Sequence, residues 1–161
     1  MFGRKKEKKH PASHSAAEAA NLFIKLAKAE NKTLTNMQLQ KLVYIAHGFF
    51  LALLGEALFD DRVEAWDFGP VIPNLYHKLK KYGAGAVTDY LESENQIERD
   101  SAEAKIIENV WESYRQFSPE ELSAMTHTTG TPWSSHYIKG ERNTTIPNHS
   151  IRDHYQKLAR E

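Results

Sequence analysis

The sequence predicts a mainly α-helical fold: a single compact helical domain carrying one small β-hairpin element. Three observations carry this expectation. Apolar residues recur at helical spacing through Leu39, Leu42, Val43, Ala46, Phe49, Phe50, Leu53 and Leu54, which fall on one broad arc at ~100° per residue. The capping-box pattern, a hydroxyl residue followed three positions later by Glu or Gln, occurs at Ser15/Glu18, Thr35/Gln38 and Ser118/Glu121, so several helix starts are written into the chain. After Gly55 the helical period stops and short apolar runs replace it. With 161 residues, 40% of them apolar, one domain with a real core is possible.

The first element is an arm. Residues 1–14 lack periodicity and contain Pro11, so they read as a disordered basic N-terminal arm, with the domain spanning 15–161. Within the first ten residues five basic side chains stand against Glu7, which leaves +4 there; the rest of this neutral chain then carries −4. Ser15 opens a helix to about Glu30. Ala16, Ala19, Ala20, Phe23, Ile24, Leu26 and Ala27 make its buried side, and Glu18, Asn21, Lys25 and Lys28 face water. Asn31 to Thr33 is a short turn, so the next helix is a neighbour.

That next helix is the central one. Thr35 caps it, it runs to Leu54, and Gly55 suits its C-terminus. Gln40, Lys41, Tyr44, His47, Gly48 and Leu51 share the side away from the main arc. A helix this apolar packs on one face and is covered or partnered on the other. Gly48 offers a place where another backbone could approach.

Beyond it, Ala57 to Phe59 and Val63 to Trp66, joined at Asp60-Asp61, suggest the hairpin. Asp67 to Pro70 reads as a turn, and Pro73 suits the first turn of a helix through Tyr82. Residues 83–100 are polar and irregular, with room for another short strand pair. Ser101 caps a helix with Ile106, Ile107, Val110, Trp111 and Tyr114 on one face. Ser118-Pro119 starts a helix to about Thr126. Residues 127–147 form a loop with Pro132-Trp133 as its anchor, and Asn148 caps a last helix bearing Ile151, Tyr155 and Leu158.

Chemistry is sparse. There is no cysteine, which excludes disulfides and Cys-ligated zinc. His47, His77, His127, His136, His149 and His154 form neither HExxH nor an i, i+4 pair on one helix. Asp60-Asp61 and Glu120-Glu121 lie in a turn and a helix start, where carboxylates cap the chain or favour the helix dipole. No nucleophile elbow or phosphate loop occurs. The expectation is no catalytic residue, no metal, no cofactor and no enzymatic activity. No secretory pattern opens the chain, and uninterrupted apolar runs fall short of the ~20 residues that span a bilayer. A cytoplasmic protein with no membrane partner is expected.

Two clusters suit a binding role. Trp66, Phe68, Pro70 and Tyr76 gather aromatic surface, which is either a satellite core or a patch for a partner. Gln40, Lys41 and Tyr44 form one helical patch, either covered within the domain or offered to a partner. Gln40, Lys41, Tyr44, Trp66 and Tyr76 are therefore the partner-binding candidates. The alternative takes the first two helices as a helix-turn-helix on nucleic acid, a transcriptional regulator of its own operon. A recognition helix needs polar side chains for base edges, and only Gln38, Gln40, Lys41 and His47 are offered.

Some of these residues form a recognisable block. Thr35-Asn36 begin the helix, Leu39 to Leu42 follow as Leu-Gln-Lys-Leu, then Tyr44, Phe59, Glu64 to Trp66, Gly69 to Val71, Pro73, Leu75 and Tyr76. Leu122-Ser123, Thr126-His127 and Pro132-Trp133 continue it. This block resembles the Panacea domain, a family that includes phage-associated GepA-like proteins and the SocA-like antitoxin and proteolytic adaptor. The resemblance covers about residues 16–158. It implies a mainly helical domain that acts as the antitoxin of a toxin–antitoxin pair and neutralises a cognate toxin by direct contact. In the SocA-like case it also implies delivery of the toxin to a ClpXP-type protease. Thr35, Asn36, Gly69, Pro70, Pro73 and Trp133 are the motif residues with a structural part to play.

Overall fold

The computed structural model describes residue 12 and residues 14–161. Among these are seven α-helices and four short strands. The helices are α1 (Ala16–Ala29), α2 (Asn36–Leu54), α3 (Pro73–Leu79), α4 (Ala102–Tyr114), α5 (Pro119–His127), α6 (Pro132–His136) and α7 (Asn148–Ala159). The strands are β1 (Leu34–Thr35), β2 (Glu64–Trp66), β3 (Gly69–Val71) and β4 (Ala86–Val87). They make two separate two-stranded antiparallel sheets, β1 with β4 and β2 with β3. The fold is the mainly α-helical domain with small β elements that the periodicity predicts.

All three capping boxes form. Ser15, Thr35 and Ser118 each accept from the backbone three residues on, and Glu18, Gln38 and Glu121 reach back to the cap N–H. Gly55 ends α2 in the left-handed region at φ 71°, a conformation that costs a side-chain-bearing residue more.

α2 is the axis of the domain. Helices α1, α3, α4, α5 and α7 and strand β3 all pack against it. Leu39, Leu42, Val43, Tyr44, Ile45, Ala46 and Phe50 are buried, and so are Gln40, Lys41 and His47. The face opposite the main apolar arc is therefore covered within the domain. By length and composition α2 could also cross a bilayer, but 67% of that window is buried here, as befits a core helix. It has no polar face free for base edges, so α1 and α2 do not make a reading helix-turn-helix.

The last helix completes the wrapping. Tyr155 lays its ring on Gly48, where an added Cβ would stand 2.2 Å from Tyr155 Cδ2. The close approach at this glycine is thus made by an aromatic ring rather than by a backbone. Tyr155 also meets Tyr44 and Phe49 edge-on at 6.0 and 4.8 Å. Beside Gly48, the His47 ring stacks on Phe59 at 4.0 Å, and its Nε2 is 3.0 Å from Asn148 Oδ1. Burial pushes His47 down to about 4, so it is neutral in the folded domain. Asn148 is the first residue of α7, and Pro147 is its cap. The Asn148 side chain is used on α2 instead.

Several expected elements shift. The hairpin is Glu64–Trp66 with Gly69–Val71, closed by Asp67-Phe68, with Trp66 opposite Gly69. Ala57 to Phe59 is not its first strand; Phe59 only bridges His14. The turn read at Asp67–Pro70 is the hairpin tip together with the first two residues of its return strand, because Gly69 at φ +117° lets the chain reverse early. Residues 83–100 do not pair with themselves. Ala86–Val87 pairs with Leu34–Thr35 ahead of α2, a partner from a distant part of the chain. Glu18 and Asn21 do not face water. Asn21 bonds both backbone groups of Leu91, and Glu18 accepts from Asn95 N–H at 3.1 Å. Of the arm expected over residues 1–14, only Ala12 and His14 are among the described residues. Ala12 N–H donates to Asp60 at 2.9 Å, and His14 Nδ1 is 2.8 Å from Glu18. The rest of the arm lies outside the described residues.

Two substitutions test this packing by thermal or denaturant unfolding. Leu42→Ala leaves a cavity beneath α2 and is expected to cost ~2–5 kcal/mol. Gly48→Ala is expected to cost ~1–3 kcal/mol by overpacking against Tyr155. In a Tyr155→Ala background the same change costs much less, since the ring that it meets is gone. Equal costs in both backgrounds would show that Tyr155 does not fill this position.

Candidate partner-binding groove

Two polar side chains on α2 meet the edge of the hairpin. Gln40 Oε1 accepts from Ile72 N–H at 2.8 Å, and its Nε2 donates to Asn36 Oδ1 at 3.0 Å. Lys41 Nζ donates to Pro70 O at 3.0 Å. Pro70 pairs with Ala65, whose own N–H is used on the opposite edge, by Thr144 O at 2.9 Å. The Pro70–Ala65 pair is therefore a non-hydrogen-bonded one, and the donor that proline lacks is not needed there. On the outer edge of β2, Ile146 N–H donates to Val63 O at 2.8 Å. Both edges of the hairpin are thus occupied, one by side chains and one by the 144–146 segment.

The tip is anchored as firmly. Ser123 Oγ donates to Phe68 O at 2.7 Å, and Trp133 Nε1 donates to Trp66 O at 2.6 Å. Tyr137 stacks on Trp133 at 4.5 Å and donates its hydroxyl to Asp67 at 2.6 Å. Trp133 is indeed an anchor, and the backbone of the tip is what it holds. Gly69 is required where it stands, because a Cβ would lie 3.1 Å from Lys41 Nζ in addition to the positive φ.

Between the start of α2, the hairpin tip, α3 and the start of α5 lies a groove of about 690 Å³. Gln40, Lys41, Trp66 and Tyr76 line it, with Thr35 and Asn36 at one end. Four of the five partner-binding candidates are therefore brought together. Their exposure differs from expectation. Gln40 and Lys41 are each 2% exposed and belong to the floor. Lys41 is not a rim charge. Tyr44 is 1% exposed and does not line the groove; it packs on Tyr155 with its hydroxyl unpartnered among the described residues. The helix turn that carries Tyr44 points it at α7 rather than at the hairpin. Trp66 and Tyr76 are half-buried and meet edge-on at 5.0 Å, so they are wall residues with surface to offer.

Sequence reasoning passed over Met37, Lys80 and Arg142, and placed Phe68 in the aromatic cluster without making it one of the five candidates. Phe68 is 70% exposed at the tip, and Met37 is 38% exposed on the first turn of α2. Lys80 and Arg142 also line the groove. The Arg142 guanidinium lies 3.9 Å over the Trp66 ring. No local pattern marks Arg142, which arrives from the 127–147 segment. Among the described residues, no group of three or more His, Asp or Glu side chains is gathered in metal-binding fashion.

Burial alone brings Lys41 down to about 7, since the ammonium loses its water and has only one hydrogen-bond acceptor. Its pKa in the unfolded chain is the ordinary ~10.4. Between these values the unfolded chain binds more protons, so stability rises with pH. Burial of Tyr44 and Tyr155 raises both phenols, and this reverses the trend only as unfolded tyrosines ionise near pH ~10. From pH ~7.5 to ~9.5 the domain is expected to gain roughly 2 kcal/mol over a Lys41→Met variant. Parallel urea melts of the two proteins check this, and parallel pH profiles would disprove it.

Comparison with known proteins bears on this site. Residues 39–134 match the family described as antitoxin SocA-like, Panacea domain. The chain is 33% identical over 132 residues to Antitoxin SocA of Caulobacter vibrioides (strain NA1000 / CB15N), covering 76% of this chain and 70% of that protein. No solved structure matches the chain. The matched span takes in α2 from Leu39, the hairpin, most of the groove lining and the Trp133 anchor, and leaves out Thr35, Asn36, Met37 and Arg142. The chain belongs to the SocA-like antitoxin family of Panacea-domain proteins.

Proposed function

We propose that this protein neutralises a cognate toxin by direct protein–protein contact, in the cytoplasm, and that the toxin engages the groove and the hairpin tip. The observation that carries the reading is its membership of an antitoxin family over most of the chain. The groove supports the choice of surface. Trp66, Phe68 and Tyr76 are aromatic, partly or largely exposed and held on a backbone whose hydrogen bonds are made. Rigid aromatic groups of this kind dominate interface energies, because little entropy is lost when they are covered. We read the protein as a binding module rather than an enzyme: the groove holds one buried amine, with no acid–base pair converging on it.

The test starts with the reading frame next to this gene. Its product is expected to arrest growth when expressed alone, and co-expression of this protein is expected to restore growth and to co-purify with it. Phe68→Ala and Trp66→Ala are then expected to weaken the complex by ~2 kcal/mol each, about 30-fold in affinity. Circular dichroism on the same variants separates lost binding from lost folding. Comparing toxin levels with and without a ClpXP-type protease distinguishes occlusion from delivery for degradation. A neighbour that is harmless alone, with no toxin co-purifying, would refute the antitoxin reading. Wild-type affinity in a folded Phe68→Ala, Trp66→Ala double variant would remove this surface.

A further inference from the structure

The charges of the groove are unevenly committed. Asp67 accepts the Tyr137 hydroxyl at 2.6 Å. Glu120 sits in the first turn of α5, where the positive end of the helix dipole favours it. The cations are less satisfied. Lys41 is 2% exposed, lines the floor and makes one hydrogen bond, to Pro70 O. An amine has two protons to donate and an ammonium three, so in either form Lys41 has a donor to spare. Among the described residues, neither Lys80 nor Arg142 has a carboxylate within ion-pair distance. Arg142 is instead spread over the Trp66 ring, which leaves its guanidinium edges free for a planar acceptor.

Backbone pairing is closed to an incoming chain. The outer edge of β3 is taken by Gln40 and Lys41, and that of β2 by residues 144–146. A partner segment cannot add as a strand and must be recognised through its side chains. Apolar surface for such side chains stands beside the cations, at Phe68 and on the Trp66–Tyr76 pair.

From these features we infer that the groove takes an extended segment of the partner protein in which carboxylates flank an aromatic or aliphatic side chain. The carboxylates pair with Arg142 and Lys80, one reaches the spare donors of Lys41, and the apolar side chain packs against Phe68 and the Trp66 ring. This deepens the proposed antitoxin reading, on which it rests for the identity of the partner as a toxin. It goes beyond that reading in fixing the chemistry of the recognised segment.

The test uses the full chain and needs no toxin. The indole N–H signals of Trp66 and Trp133 report on the hairpin tip. That of Trp111, bonded to Glu30 outside the groove, is the internal control. The blocked peptide acetyl-Glu-Asp-Phe-Glu-Leu-Asp-amide is titrated by NMR against the charge-inverted peptide acetyl-Lys-Lys-Phe-Lys-Leu-Lys-amide. The acidic peptide is expected to move the Trp66 signal with a midpoint on the order of 1 mM or below, and to leave Trp111 unmoved. The basic peptide is expected to bind at least about ten-fold more weakly, and so is the acidic peptide to a Lys80→Glu, Arg142→Glu variant. Both substituted residues are exposed, so the variant is expected to keep its fold, which its circular dichroism spectrum and an unshifted Trp111 signal check. Equal response to the two peptides, no response to either, or an unchanged affinity in the double variant would overturn the inference. None of these outcomes touches the antitoxin reading, which stands or falls on growth rescue by the wild-type chain.

Discussion

Gln40 and Lys41 lie buried in the second turn of the central helix, and the rest of the architecture follows from satisfying them. A buried amide or ammonium without partners costs several kcal/mol. Both find partners on the free edge of β3, at Ile72 N–H and Pro70 O. The exchange works in both directions. A two-stranded hairpin is marginal alone, and its unpaired edge would otherwise be open. Here that edge is closed by two side chains of the core helix. The same contact dictates the proline, which sits where no donor is needed, and the glycine, which leaves room for the lysine amine.

A second set of contacts wraps the other end of α2. Tyr155 fills the notch at Gly48, and Asn148 meets the buried His47 ring. The C-terminal helix therefore closes the core rather than decorating it. Its own apolar content is low, Ile151 and Tyr155 being its buried residues. The attachment depends on shape at one glycine and on a polar pair, so it is specific where a broad apolar face would be tolerant of sliding.

These two closures leave a rigid hairpin tip. Ser123, Trp133 and Tyr137 hold the tip through its backbone and through Asp67, while the Phe68 ring remains in solvent. An exposed aromatic on a fixed backbone is a favourable arrangement in a complex, because the ordering has been done before the partner arrives. Most of the groove lies within the span that matches the antitoxin family, with Thr35, Asn36, Met37 and Arg142 outside it.

The chain by itself determined the helices, their starts and the class of the fold. Capping boxes and helical spacing act over three to four residues, so Ser15, Thr35, Ser118 and the Leu39–Leu54 stripe are readable without knowing what packs on them. The motif block also marked the family, and Trp66 and Tyr76 stood in one aromatic cluster that could be either core or surface. Tertiary structure decided the rest. Gln40, Lys41 and Tyr44 fall on one helical patch in sequence, yet the first two turn toward the hairpin and the third toward α7. The strand partner of Leu34–Thr35 comes from Ala86–Val87, and Arg142 reaches Trp66 from a segment with no periodicity. Such pairings depend on which distant surfaces meet when the core closes, and local propensity carries no information about that choice.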